Sequence, residues 1–231
     1  MAKTLHIVVP TKIITKKNAN DYLTSHLVVP DTIEEISLEA FLRKSQLHTL
    51  TLSSQVTTIG ARAFKDCLHL SSVILPECME SLGMEVFSGC RELKEVVYPV
   101  GLSRIPAKAF YRCRALERIS IPEGIMKIEK EAFYFCDLSE LKLPDSLKSI
   151  EERAFFRNNR LTEITIPAQV KRLGSNAFHG CNRLKTIKIL GAPDFIGEDL
   201  VNKPVIIQCI KGSIVDDYCK QYGYTAEYIT L

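Results

Sequence analysis

The chain has 231 residues, 46% hydrophobic and 25% charged, with eight cysteines, no tryptophan and a net charge of +3. Those fractions exclude a disordered chain, and 11 Gly with 10 Pro exclude a collagen-like or low-complexity one. The small net charge lacks the basic footprint of a nucleic-acid binder, and no stretch approaches the roughly 18 uncharged apolar residues that cross a membrane.

Residues 1–24 carry no Phe or Cys in register with the rest of the chain and are expected to form an N-terminal cap. Their opening, MAKTLHIVVP, has one lysine and a brief apolar run stopped by Pro10, without the h-region and cleavage site of a signal peptide. With unpaired thiols, that predicts a cytoplasmic location as the chain stands, or a cell-surface one if a leader were removed.

From residue 25 to 190 the chain repeats. Cys67, Cys90, Cys113 and Cys136 are 23 residues apart, and Cys181 lies 45 further on, with Asn158 in the missing slot. Phe41, Phe64, Phe87, Phe110, Phe133, Phe155 and Phe178 keep the same count, as do Leu47, Leu70, Leu93, Leu116, Leu138, Leu161 and Leu184. A fixed period in the twenties marks a solenoid. In one unit, Leu116 to Pro122 alternates apolar and polar residues, which predicts a short half-buried strand ended by the proline. Ile125 and Ile128 come next, through a turn, and Glu131 to Cys136 predicts a short helix with Ala132, Phe133 and Cys136 on one face. One residue is missing between Cys136 and Leu138, which a surface turn is expected to absorb.

From residue 191 to 231 the pattern decays into an expected C-terminal cap. Val205 to Ile210 reads as a strand, Ser213 as the N-cap of a helix over Ile214 to Tyr222, Gly223 as its stop, and Tyr224 to Thr230 as a last strand. No unit buries its apolar edge alone, so the units stack, each strand pairing in parallel with the next at about 4.8 Å. One structural domain is expected overall.

The repeat L-x-x-[ILV]-x-[ILV]-P-x-x-[ILV]-x-x-[IL]-x-x-x-A-F-x-x-C resembles the BspA-type class of leucine-rich repeats, from about His26 to Leu190. The resemblance implies a right-handed α/β solenoid with a parallel concave β-sheet and short helices or turns on the convex side. It also implies a protein-binding role of the adhesion or scaffold kind, since characterised relatives are mostly bacterial or protist surface proteins.

Catalytic and metal signatures are absent from the chain. No two cysteines stand two to four apart as zinc ligands do, and equivalent ladder thiols point the same way rather than toward each other. The ladder cysteines therefore read as compact apolar fillers. Cys78, Cys209 and Cys219 fall outside the ladder, and a Cys209–Cys219 pairing stays open. No H-E-x-x-H, G-x-G-x-x-G or G-x-S-x-G occurs. No enzyme activity, cofactor or metal is expected.

Binding is expected where the repeat leaves side chains free. The outward positions of the strands put Ser72, Ile74, Glu95, Val97, Arg118, Ser120 and Lys142 on one concave face. Ile74 and Val97 would form a small apolar centre with a charged rim, suited to another protein. Glu95, Arg118 and Glu140, alternating in sign, would equally serve as cross-strand pairs. The rival surface is convex, with Tyr111, Arg112, Tyr134, Phe156 and Arg157, and would suit self-association; those rings would otherwise pack down over the repeats. A monomer that binds a partner protein, without nucleic acid or membrane insertion, is the main expectation.

Overall fold

The computed structural model describes residues 12–230, so the first eleven residues of the expected N-terminal cap lie outside the described residues. In chain order the elements are β1 (Ile13–Ile14), α1 (Ala19–Tyr22), β2 (His26–Val28), β3 (Glu35–Ile36), β4 (Thr49–Thr51), β5 (Thr58–Ile59), β6 (Ser72–Ile74), β7 (Ser81–Leu82), β8 (Glu95–Val97), β9 (Arg104–Ile105) and β10 (Arg118–Ser120). They continue with β11 (Lys127–Ile128), β12 (Ser149–Ile150), β13 (Glu163–Ile166), β14 (Arg172–Leu173), β15 (Thr186–Ile189), β16 (Phe195–Ile196), β17 (Ile206–Cys209), α2 (Ile214–Tyr222) and β18 (Thr225–Tyr228).

Each coil of this solenoid carries up to two strands. The longer ones pair in the orders β2-β4-β6-β8-β10 and β13-β15-β17-β18, and the two-residue ones in the orders β1-β3-β5-β7 and β9-β11-β12-β14-β16, all parallel in the pairs described. The Ile125–Ile128 segment, expected to be only a turn, therefore builds a second parallel face through β11. Between the faces runs one apolar core. Seven fully buried phenylalanines stack along it with centroids 5.1 to 5.9 Å apart.

The expected short helix is absent from the third side. In the segment from Gly60 to Cys67, Ala63, Lys65 and Cys67 donate to carbonyls three residues back, while Arg62, Phe64 and Asp66 donate to Met84, Val86 and Ser88 of the next coil. Alternate N–H groups thus serve the turn and the neighbouring coil, which an α-helix cannot do. Two residues per coil adopt left-handed backbone to allow this, here Arg62 at φ 56° and Asp66 at φ 58°. For an L-residue that conformation costs on the order of 1–2 kcal/mol, offset by ladder hydrogen bonds and by burial of the adjacent Ala and Phe.

Two irregularities break the faces. The residue missing after Cys136 is not absorbed by a surface turn: Glu140 to Lys142 form no strand, and the long-strand sheet divides into its two parts there. The short-strand face divides between β7 and β9. At the position following each short strand, Gly60, Gly83 and Glu129 donate to the preceding coil, but Pro106 has no N–H to give to Leu82.

The C-terminal segment forms the expected strand, helix and strand as β17, α2 and β18. Ser213 Oγ accepts from Asp216 N, Gly223 closes the helix at φ 68°, and β18 adds in parallel to β17.

Candidate functional site

On the long-strand sheet, Ser72, Glu95 and Arg118 form one transverse row, and Ile74, Val97 and Ser120 the next, through the registers of β6, β8 and β10. Alternation turns Val73, Val96 and Ile119 into the core and these six outward. Ile74 is 67% exposed and Val97 38%. Val28, 65% exposed on β2, lies in the same row beyond Thr51, whose strand pairs with β2. Val28 is absent from the set expected from sequence, although counting in twos from His26 finds it.

Glu95 and Arg118 stand directly opposite each other, yet form no ion pair among the described residues. The cross-strand pairing that would explain their charges without a partner is therefore not made. Lys142, expected beside them, is displaced from the sheet by the shortened coil. It instead lines a cleft of about 460 Å³ between Leu141–Asp145 and strands β13 and β15. Half-buried Leu141 sits where the neighbouring repeats bury Ile119 and Ile164.

On the turn side, Tyr111 and Tyr134 stack at 4.8 Å, Tyr134 and Phe156 at 5.0 Å, and Phe156 and His179 at 5.8 Å. Arg112 lies 5.2 Å over Tyr111 and Arg157 5.5 Å over Phe156. The five convex residues are thus brought together: Tyr111, Tyr134 and Phe156 as half-buried stacked rings, and Arg112 and Arg157 exposed beside them.

Other charges are committed to inter-coil pairing. Glu39 lies between Lys16 at 3.1 Å and Arg62 at 2.9 Å. The Lys16 hydrogen bond first, with Arg62, holds its carboxyl below the usual range against partial desolvation. Glu151 is shared between Lys127 at 3.0 Å and Arg172 at 3.2 Å.

All eight cysteines are free, and only Cys78 is exposed. Cys67, Cys90, Cys113, Cys136 and Cys181 each donate their thiol, at 3.1 to 3.2 Å, to the carbonyl of the phenylalanine one coil back. The slot is therefore a donor position as well as an apolar one. Asn158 shows it, donating to the Phe133 carbonyl at 2.8 Å where a cysteine stands elsewhere. Burial pushes the Cys67 and Cys181 thiols up to about 12. Among the described residues, no group of three or more His, Cys, Asp or Glu is placed to hold a metal, and no helix is long and apolar enough to cross a membrane.

The family model described as the BspA type leucine rich repeat region matches in six copies, over residues 11–116 and 103–211. No curated protein matches. A crystal structure of a leucine-rich repeat protein from Bacteroides ovatus is similar at TM-score 0.71 and 19% identity, covering 95% of this chain and 76% of that one. The pneumococcal vaccine antigen PcpA is similar at TM-score 0.54 and 20% identity, over 88% of this chain and 67% of that one. A leucine rich cell surface protein from Faecalibacterium prausnitzii gives 0.51 and 19%, over 87% and 78%.

Proposed function

We propose that this chain, which belongs to the BspA-type leucine-rich repeat family, is a recognition module that binds another protein through its long-strand sheet. The observation that carries the reading is the outward row Val28, Ile74 and Val97, exposed on the sheet beside the unpaired charges of Glu95 and Arg118. An apolar centre with a charged rim matches the anatomy of protein interfaces. Strand-borne side chains are already ordered before contact, which lowers the entropy cost of binding. An adhesion or scaffold role is the finer form of this reading, and two structural neighbours named as an antigen and a cell surface protein suit it.

The test is affinity capture from the source cell with the wild-type chain and Val97→Glu. A charge driven into the centre should weaken capture of a specific partner roughly 100-fold. Undiminished capture by Val97→Glu would sink the reading. A second reading rests on the stacked row from Tyr111 to Phe156, whose edges and arginines would suit contact with a second copy. Light scattering decides it: a dimer lost in Tyr134→Ala supports self-association, and a monomer at all concentrations removes it.

A further inference from the structure

The aromatic row on the turn side stops at one coil. After the ladder phenylalanines come Tyr111, Tyr134, Phe156 and His179, but the coil before Tyr111 has Ser88 and then Gly89. Ser88 is buried and too small to continue the stack, and Gly89, at φ 78°, has no side chain, the place of its Cβ being taken by the Asp66 carboxylate. A pocket of about 300 Å³ opens there beside Tyr111, and Arg91, Arg112 and Arg114 are among the residues that line it.

None of these three arginines forms an ion pair or a side-chain hydrogen bond among the described residues. The two carboxylates in the wall do not serve them. Glu85 is bound by Arg62 and Lys65, and Asp66 lies 3.9 Å from Arg43. Two of the arginines are held by rings, Arg112 5.2 Å over Tyr111 and Arg114 4.8 Å over Phe135, which leaves their N–H edges free to donate. Three unneutralised guanidinium groups around one pocket repel each other until an anion is shared between them. Their planar forks match the paired oxygens of a tetrahedral oxyanion.

We propose that this pocket binds the sulfate or phosphate ester group of a ligand. The site lies on the turn side, away from the long-strand sheet, and does not rest on the protein-binding reading. The probes are glucose 6-sulfate and glucose 6-phosphate, titrated into the chain by calorimetry at low salt, with glucose as the neutral control. Saturable one-to-one binding of an ester but not of glucose is expected, weakened about tenfold in Arg112→Gln and in Arg91→Gln, as for loss of a charge-assisted contact. Binding of both esters, or of one only, identifies which ester the pocket accepts. Ser88→Tyr, which places in this coil the residue the next two coils carry, should fill the pocket and abolish binding. Arg183→Gln, at an arginine that likewise forms no ion pair among the described residues and lies four coils further along, should leave binding unchanged. The proposal is overturned if neither ester binds saturably, or if Arg183→Gln weakens binding as much as Arg112→Gln does.

Discussion

At the residue scale, the cysteine slot holds most of the chemistry that composition advertised. Spacing alone places the five ladder cysteines in a buried row and Asn158 in the gap, but does not reveal their role as donors, because a thiol reads as a small hydrophobe. Asn158 makes the role visible: its amide donates to Phe133 O and Phe155 O, and its Oδ1 accepts from Leu138 N at 3.4 Å, the first residue after the shortened loop. Asn158→Ala should therefore cost about 2–3 kcal/mol in urea unfolding, since it leaves buried backbone groups unpartnered. A native-state thiol assay should find Cys78 fast and the other seven cysteines protected until unfolding. The pH dependence has a definite sign. Thiols whose folded values are raised contribute fully below the ordinary value of 9.0 and lose that contribution as pH rises toward about 12, the value for Cys67 and Cys181. Alkaline unfolding in that window should shift upward in Cys67→Ala. Because buried thiols of this kind are poor nucleophiles, their unpaired state does not by itself require a reducing compartment.

At the element scale, period-two alternation is legible in the sequence and the rest of each coil is less so. A two-residue strand has no periodicity to detect, so the second parallel face is invisible in Ile125 and Ile128. The A-F-x-x-C segment mimics a helical spacing while its hydrogen bonds leave for the next coil, a non-local pairing that no local pattern encodes. The missing residue after Cys136 is plain in the spacing, but its cost falls elsewhere than expected: Cys136 and Leu138 are both buried and in register, so the slack comes out of the next strand. Amides of Glu140 to Lys142 should then exchange with solvent faster than those of Arg118 to Ser120. Inserting one glycine after Asp137 should slow the former to the level of the latter. Phe110→Ala, removing a ring stacked between Phe87 and Phe133, should cost about 3–5 kcal/mol in equilibrium unfolding, and clearly more than Tyr111→Ala on the half-buried outer row.

At the scale of the whole molecule, the repeat makes each coil the template for the next, so features equivalent in sequence become rows in space. That is why position arithmetic groups Ser72, Glu95 and Arg118, and Ile74, Val97 and Ser120, correctly, and why it misplaces Lys142, past the irregular coil. The same arithmetic puts Val28, Thr51, Ile74 and Val97 in one row from β2 to β8, with Thr51 a polar break in it. On the proposed reading, the row of exposed aliphatic side chains beside unpaired charges is the contact surface. Whatever touches residue 74 is therefore decisive. A photo-crosslinking amino acid placed there, and separately at 134 on the turn side, in the chain exposed to extract of the source cell, tests the recognition role most directly. The prediction is a saturable cross-link from position 74 to one other protein, lost in Val97→Glu and absent from position 134. A cross-link from 134 alone, to a second copy of the chain, would contradict it.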